Sequence, residues 1–200
     1  MHDTAEKNAT LFFRTYVLPN NIGKILEVGS CSVGEPDEFI LRHLKPPQME
    51  YVGLDISMGN NVDVLWDTER IPFENDTFDF VVSTSCFEHD ELFWVTYLEI
   101  LRVLKPNGLF YMNAPSNGVY HAYPVDCWRF YPDAAHALVK WGKRNGYKHN
   151  AVLEHYTHNA GPHNWADYVA VFIKNDMYKN EYPNRMVTDI IDNCTNPYYF

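Results

Sequence analysis

The chain has little of what would tie it to nucleic acid, to a membrane or to an oxidising compartment. Lys and Arg number 16 against 26 Asp and Glu, a net charge of -10. A surface of that sign repels a phosphate backbone, so nucleic acid is not expected as a substrate. The one basic run, residues 140–149, reads as a helix end and its turn, a solvated face. Four cysteines, Cys31, Cys86, Cys127 and Cys194, show no C-x-x-C pair and no metal-ligand spacing. They predict free thiols in a reducing compartment. No apolar run approaches membrane-spanning length, and no basic-then-apolar leader opens the chain. A cytoplasmic protein without membrane insertion is expected. Repeats, low-complexity tracts and linkers are missing too, which predicts one domain over residues 1–200. Within it, residues 1–22 would form an N-terminal helical extension and 174–200 a C-terminal tail.

What is present alternates. "KILEV" (24–28) is a short apolar run, followed by a Gly/Ser loop and then "EPDEFILRHL", where Pro36 with Asp37 and Glu38 signals a helix start. "YVGLD" (51–55), "VDVLW" (62–66) and "FDFVVST" (78–84) predict strands two to four. Trp94, Tyr97, Leu98, Leu101 and Leu104 then form one helical stripe. "KPNG" (105–108) should end that helix, and "LFYMNA" (109–114) should be strand five. A helix near 133–145, two β-rich runs ("NAVLEHY" and "WADYVAVFI") and a final helix around 184–192 complete the reading. This order predicts an α/β fold with a mostly parallel sheet and an antiparallel edge pair. Ligands of such sheets sit beyond the carboxyl ends of the strands, so the loops after strands one to five should share a crevice.

The first loop, "LEVGSCSVG" (26–34), is glycine-rich but ill suited to a dinucleotide. Cys31 stands where backbone would have to approach a pyrophosphate, and Glu27 would repel one. A carboxylate there suits a cationic ligand. S-adenosylmethionine carries a sulfonium and an ammonium and no phosphate. Asp55, closing strand two, can accept from a ribose diol, and Asp67, after strand three, from an adenine amino group.

"ILEVGS", "YVGLDIS", "DTERIPFENDTFDFVVSTSCFEH" and "EILRVLKPNGLFYMNAP", in that order, resemble the class I S-adenosylmethionine-dependent methyltransferases. The resemblance implies a Rossmann-like fold with a seven-stranded sheet, and S-adenosylmethionine as cofactor. It places Glu27 at the methionine end of the cofactor beside the first-loop residues Gly29, Ser30 and Cys31. Asp55 would take the ribose and Asp67 the adenine, with Ile56 and Thr68 beside the ring. Ser85, Cys86 and Glu88 would line the sulfonium. The sequence departs from the family in this loop: the usual G-x-G-x-G has become Gly29-Ser30-Cys31-Ser32-Val33, with Gly34 one place late.

After strand five comes "NAPSNGVYHAYPVDCWRFYP" (113–132), where rings alternate with an imidazole, a carboxylate and a guanidinium. Pro115, Pro124 and Pro132 keep it from being one helix or a central strand. Rings with hydrogen-bonding edges suit a sugar, and the segment resembles the acceptor loop of small glycan O-methyltransferases. A sugar or glycan hydroxyl is therefore the expected acceptor, with other glycan-synthesis domains as conceivable partners. His121 is the first candidate base, oriented by Asp126, with His89 as the second. Arg129 would grip a substrate oxygen or Asp126. Tyr120 and Tyr123 are candidate platforms for the sugar. Trp128 is kept beside them, although it and Phe130 suit anchoring in the core better. No metal is predicted. His155, His158, His163 and Asp167 leave one open, but their spacing matches no ligand motif. Two other readings of the fold remain: a nicotinamide-dependent oxidoreductase, disfavoured by Cys31 and Glu27, and a non-catalytic binding module, disfavoured by three ligand-facing carboxylates.

Overall fold

The computed structural model of the chain describes residues 3–20, 22–32, 40–158 and 165–200. Five strands run parallel: β1 (Lys24–Val28), β2 (Glu50–Asp55), β3 (Val64–Leu65), β4 (Phe78–Thr84) and β5 (Leu104–Pro115). Three more, β6 (Ala151–His158), β7 (Asp167–Ile173) and β8 (Cys194–Tyr199), add antiparallel pairings β5–β7, β7–β6 and β6–β8. The sheet order is β3-β2-β1-β4-β5-β7-β6-β8. Because β1 to β5 are parallel, the loops that follow them open along one edge, which is where a ligand of such a sheet would sit.

The central strands β4 and β5 read as near-continuous apolar runs because both faces are covered. Neighbours along β5 serve opposite cores. Tyr111 packs with Phe12, Phe13 and Tyr16 of the N-terminal helical segment, whereas Phe110 packs with Tyr97, Leu101 and Leu138. Those last three belong to α2 (Phe93–Val103) and α3 (Ala134–Arg144). The N-terminal segment is α1 (Asp3–Phe12), continued by a π-helical turn over Phe13–Val17. Phe12 stacks on Tyr111 with centroids 4.6 Å apart.

Four expectations need correction. The third strand shrinks from 62–66 to Val64–Leu65, because Asp63 turns to accept from the Gly53 N–H at 2.7 Å and to pair with Arg42. Strand five begins at Leu104, so "KPNG" runs inside it beside a register shift in β4 between Phe78 and Phe80. The sheet has eight strands rather than seven, and the final helix is a single turn, α4 (Val187–Ile190). One cause serves both features of the tail. Buried Glu154 of β6 accepts from the Met186 and Val187 N–H groups at 2.9 and 2.8 Å, which pins the turn. The chain then runs back along β6 as β8 and covers an edge that would otherwise expose unpaired backbone. The helix start at Pro36 lies outside the described residues; of that segment, Leu41–Leu44 is a 3-10 turn. The four cysteines are unpaired thiols. No described helix is long and apolar enough to cross a membrane.

Candidate active site

Glu27 is the penultimate residue of β1, and its side chain is buried. Its Oε2 accepts from the Tyr51 hydroxyl at 2.8 Å and from the Asn61 amide at 2.7 Å. Burial pushes the carboxyl up to about 7, against the lowering effect of those two donors. Asn61 is itself fixed: Arg42 Nε donates to its Oδ1 at 2.7 Å, and its amide also reaches the Ser30 carbonyl at 3.0 Å. No sequence signal marks Tyr51 or Asn61 as a partner of Glu27. The β1–β2 pairing brings Tyr51 to it, and the loop after β2 brings Asn61.

The first loop is held by backbone rather than built around a phosphate. Asp55 Oδ2 accepts the Cys31 N–H at 2.9 Å and its Oδ1 accepts the Ser57 N–H at 3.0 Å. The Ser32 N–H donates to the Asn60 carbonyl at 3.1 Å, tying this loop to the one after β2. Gly29 has φ +79°, and a Cβ there would lie 2.4 Å from the Cys86 sulfur. Glycine at this position is therefore required by Cys86, the residue that brings the loop after β4 against the loop after β1. Each Asp55 oxygen retains a lone pair for a further donor. Ser30 Oγ is buried without a partner among the described residues.

Asp67 lies just past β3, next to Trp66, whose backbone N–H donates to the Asp55 carbonyl at 2.8 Å. Its Oδ1 accepts the Glu69 N–H at 3.0 Å, and Thr68 between them has φ +71°. Ile56 and Thr68 are both exposed. From Glu27 through Asp55 to Asp67 the carboxylates thus pass from buried to half-buried to exposed along successive strand ends.

The other end of the crevice is made by the loops after β4 and β5. Ser85, at φ +51°, donates its N–H to the Asn113 carbonyl at 2.9 Å and turns the chain out of β4. Burial raises the Cys86 thiol and pushes the Glu88 carboxyl up to about 8. The Glu88 carbonyl accepts from the Cys127 and Trp128 N–H groups at 2.7 and 3.1 Å, which stitches the two loops together. His89 Nδ1 sits 2.6 Å from the Val125 carbonyl. Since a carbonyl only accepts, that nitrogen carries the proton and Nε2 keeps its lone pair. Burial also lowers the His89 pKa, which favours the neutral ring.

The His121 ring lies 5.0 Å from that of His89 and 5.2 Å from that of Trp165, in both cases edge to face. Asp126 accepts the His121 backbone N–H at 2.7 Å and grips Arg129 through two oxygens at 2.5 and 2.8 Å. The Arg129 bonds hold its carboxyl well below the usual carboxylate range. Arg129 is thus committed to Asp126, and His121 Nδ1 stands 3.4 Å from the same carboxylate.

Around this pair the rings divide. Tyr120 and Tyr123 are 77% and 60% exposed, whereas Phe130 is buried. Trp128 is anchored: its ring meets Phe93 and Trp94 edge-on, and its indole N–H donates to the Asp90 carbonyl at 3.0 Å.

Among the described residues the histidines of the other segment join no second metal-competent trio; His155 meets His136 edge to face at 5.2 Å. His155 stacks on Tyr198, and His158 faces Asn8 at 3.0 Å. Asp167 accepts from Thr4. Three positions separate His155 from His158 on one strand, which puts them on opposite faces; His163 lies outside the described residues. Trp165, which packs on His121, carried no sequence signal.

The buried carboxylate is the test of cofactor fit. Its hydrogen-bond partners are a phenol and an amide, both neutral, so the charge of a cationic ligand would be matched by this carboxyl and would draw its proton off. S-adenosylmethionine fits that chemistry, with Glu27, Ser30, Asp55 and Asp67 as the residues that would hold it.

Residues 26–112 match the family described as "Methyltransferase domain". A phthiotriol/phenolphthiotriol dimycocerosates methyltransferase of Mycobacterium leprae is 35% identical over 127 residues, covering 54% of this chain and 45% of that protein. A sterol 24-C-methyltransferase of Schizosaccharomyces pombe is 34% identical over 116 residues, 50% of this chain and 29% of that one. The chain spans about half the length, or less, of these curated relatives. Their names point to lipids and sterols, not to the sugar acceptors that the sequence led one to expect. Among solved structures, the 1,6-didemethyltoxoflavin-N1-methyltransferase of Burkholderia thailandensis, with S-adenosylhomocysteine bound, superposes with a TM-score of 0.65. It covers 87% of this chain and 80% of its own at 14% identity. The [4+2]-cyclase SpnF superposes at 0.60 and 16% identity, over 85% of this chain and 80% of its own. The solved structures share the fold with this chain, and the matched segment, residues 26–112, is similar to a methyltransferase domain. A cyclase on the same scaffold shows that the reaction must be argued from the site.

Proposed function

We propose that the protein is an S-adenosylmethionine-dependent O-methyltransferase whose acceptor is a hydroxyl of a sugar or glycan. The observation that carries this is exposed Tyr123, whose ring meets both the His89 and His121 imidazoles, with exposed Tyr120 preceding His121 in the chain. When bound, the cofactor supplies an electrophilic methyl group on a sulfonium centre. Glu27 offsets cationic charge at that end of the site, and Asp55 orients a diol.

A hydroxyl scarcely ionises near neutrality and must shed its proton to act as a nucleophile. His121, or His89 with its lone pair on Nε2, receives it. Asp126 keeps His121 in place through the backbone N–H, and Arg129 keeps Asp126 in place. The exposed tyrosine faces offer a sugar's C–H surfaces a platform while its hydroxyls meet the polar groups between them. Half-open walls suit an extended acceptor.

The test is transfer of labelled methyl from S-adenosylmethionine to a panel of glycosides alongside long-chain alcohols and sterols. Methylation of glycosides supports the reading. Methylation of the lipid alcohols alone replaces it with the acceptor class in the relatives' names.

A further inference from the structure

We infer that Glu88, His89 and His121 form a binding site for one divalent transition-metal ion of the zinc class, at the acceptor end of the crevice. Among the described residues this trio brings its ligand atoms together within 4.8 Å of one another. Two imidazoles and one carboxylate are a donor set such ions favour, and three protein ligands leave a fourth position open.

A second, independent observation points to a ligand. The Glu88 side chain is 1% exposed, and its Oε2 has no hydrogen-bond partner among the described residues. An orphaned carboxylate oxygen in the interior is costly unless a cation completes it. Its Oε1 lies 3.7 Å from His89 Nε2, the ring nitrogen left free by the Val125 carbonyl. An imidazole whose other nitrogen donates to a backbone carbonyl is oriented as metal-ligating histidines are. His121 is braced in the same manner, with Nδ1 3.1 Å from the Val119 carbonyl and the Asp126–Arg129 pair behind it. Two ligands on one tetrahedral zinc keep about 3.4 Å apart, so loading draws the rings somewhat inward.

The site deepens the proposed function and rests on it only for its role. An acceptor hydroxyl coordinated at the open position loses its proton to solvent water more readily, and its oxygen stays on the ion as the nucleophile. In the loaded protein the imidazoles would hold the ion, which replaces the role of base given to them in the metal-free reading, and solvent would take the proton.

Binding is measured without cofactor or acceptor. The full chain, stripped with EDTA, is titrated with zinc by calorimetry and with cobalt(II) by visible absorption. One equivalent is expected, with a tetrahedral cobalt spectrum lacking thiolate charge transfer. His89→Ala, His121→Ala and Glu88→Gln should each weaken it at least tenfold, whereas His155→Ala should not. Because Glu88 is buried, the half-buried His121 provides the variant least exposed to misfolding, and thermal unfolding checks each protein. No stoichiometric binding by the wild-type chain overturns the inference, as does binding unmoved by His121→Ala. A chain that binds the ion but methylates no glycoside sinks the proposed acceptor and leaves the metal site standing.

Discussion

Asn61 hands one amide N–H to Glu27 across two loops, at 2.7 Å, from a backbone with φ +71°. The left-handed conformation is one that asparagine tolerates better than most residues, and it aims the amide inward. Tyr51 supplies the second donor to the same oxygen. The buried carboxyl is thereby left available to a cationic ligand, with no cationic side chain hydrogen-bonded to it.

Removing either donor should weaken the cofactor. Asn61→Gly keeps the backbone conformation and deletes the amide; Tyr51→Phe deletes the hydroxyl. Each hydrogen bond to a charged group is worth about 1.5–3 kcal/mol, so a loss of roughly tenfold or more in affinity is expected from each. Asp55→Ala should abolish binding. Calorimetric titration with S-adenosylmethionine, with unfolding curves as a control, measures all three.

Glu27 also sets a pH dependence whose sign is defined. Its carboxyl is raised from 4.5 in the unfolded chain to about 7 in the fold. Between those values the folded protein holds a proton that the unfolded chain has released, so stability falls as pH rises through that window. The contribution is on the order of 3 kcal/mol, complete above about pH 7. Glu27→Gln should remove that slope, so the variant gains on the wild type as pH rises from 5 to 8. A cationic ligand draws the carboxyl back down, so binding S-adenosylmethionine near pH 6 should release a proton. Calorimetry in buffers of different ionisation enthalpy reads that proton. Equal pH slopes for the two proteins would disprove the assignment.

At the acceptor end, His121→Ala should leave the cofactor dissociation constant within about twofold and lower turnover by 100-fold or more. Tyr120→Ala and Tyr123→Ala should instead raise KM for the acceptor, because their rings are exposed and bear little of the fold. Steady-state kinetics on whichever acceptor the panel identifies separates the two effects. Unchanged turnover in the His121 variant moves the proton acceptor to His89.

The tail makes a structural prediction. A chain ending at residue 193 loses β8, and with it the Tyr198 ring stacked 5.2 Å from His155. It should unfold at lower temperature and aggregate through the uncovered edge of β6. Glu154→Gln should cost about 1–3 kcal/mol, since Tyr16 and two backbone N–H groups converge on that buried carboxyl and the new amide NH2 must face one of those donors. Thermal unfolding with light scattering distinguishes stability from association.

The amino-acid sequence by itself determined the parallel half of the sheet and the order of its loops. Apolar runs ending in Gly29, Asp55 or Ser85 are local patterns, and parallel strands carry their following loops to one edge whatever the side chains do. It also determined that Glu27, Asp55 and Asp67 stand at successive strand ends. It did not determine β8: "CTNPYY" contains Pro197 and two polar residues, Thr195 and Asn196, and it becomes a strand only because β6, about forty residues upstream, has an edge to cover. Nor could spacing show that Tyr51 and Asn61 hold Glu27, or that the Glu88, His89 and His121 side chains meet. His121 lies 32 positions from His89, and their distance is decided by how the loops after two adjacent parallel strands pack, stitched by the Glu88 carbonyl. Periodicity records which residues face the core; only packing decides which polar atoms the loops bring within reach of one another.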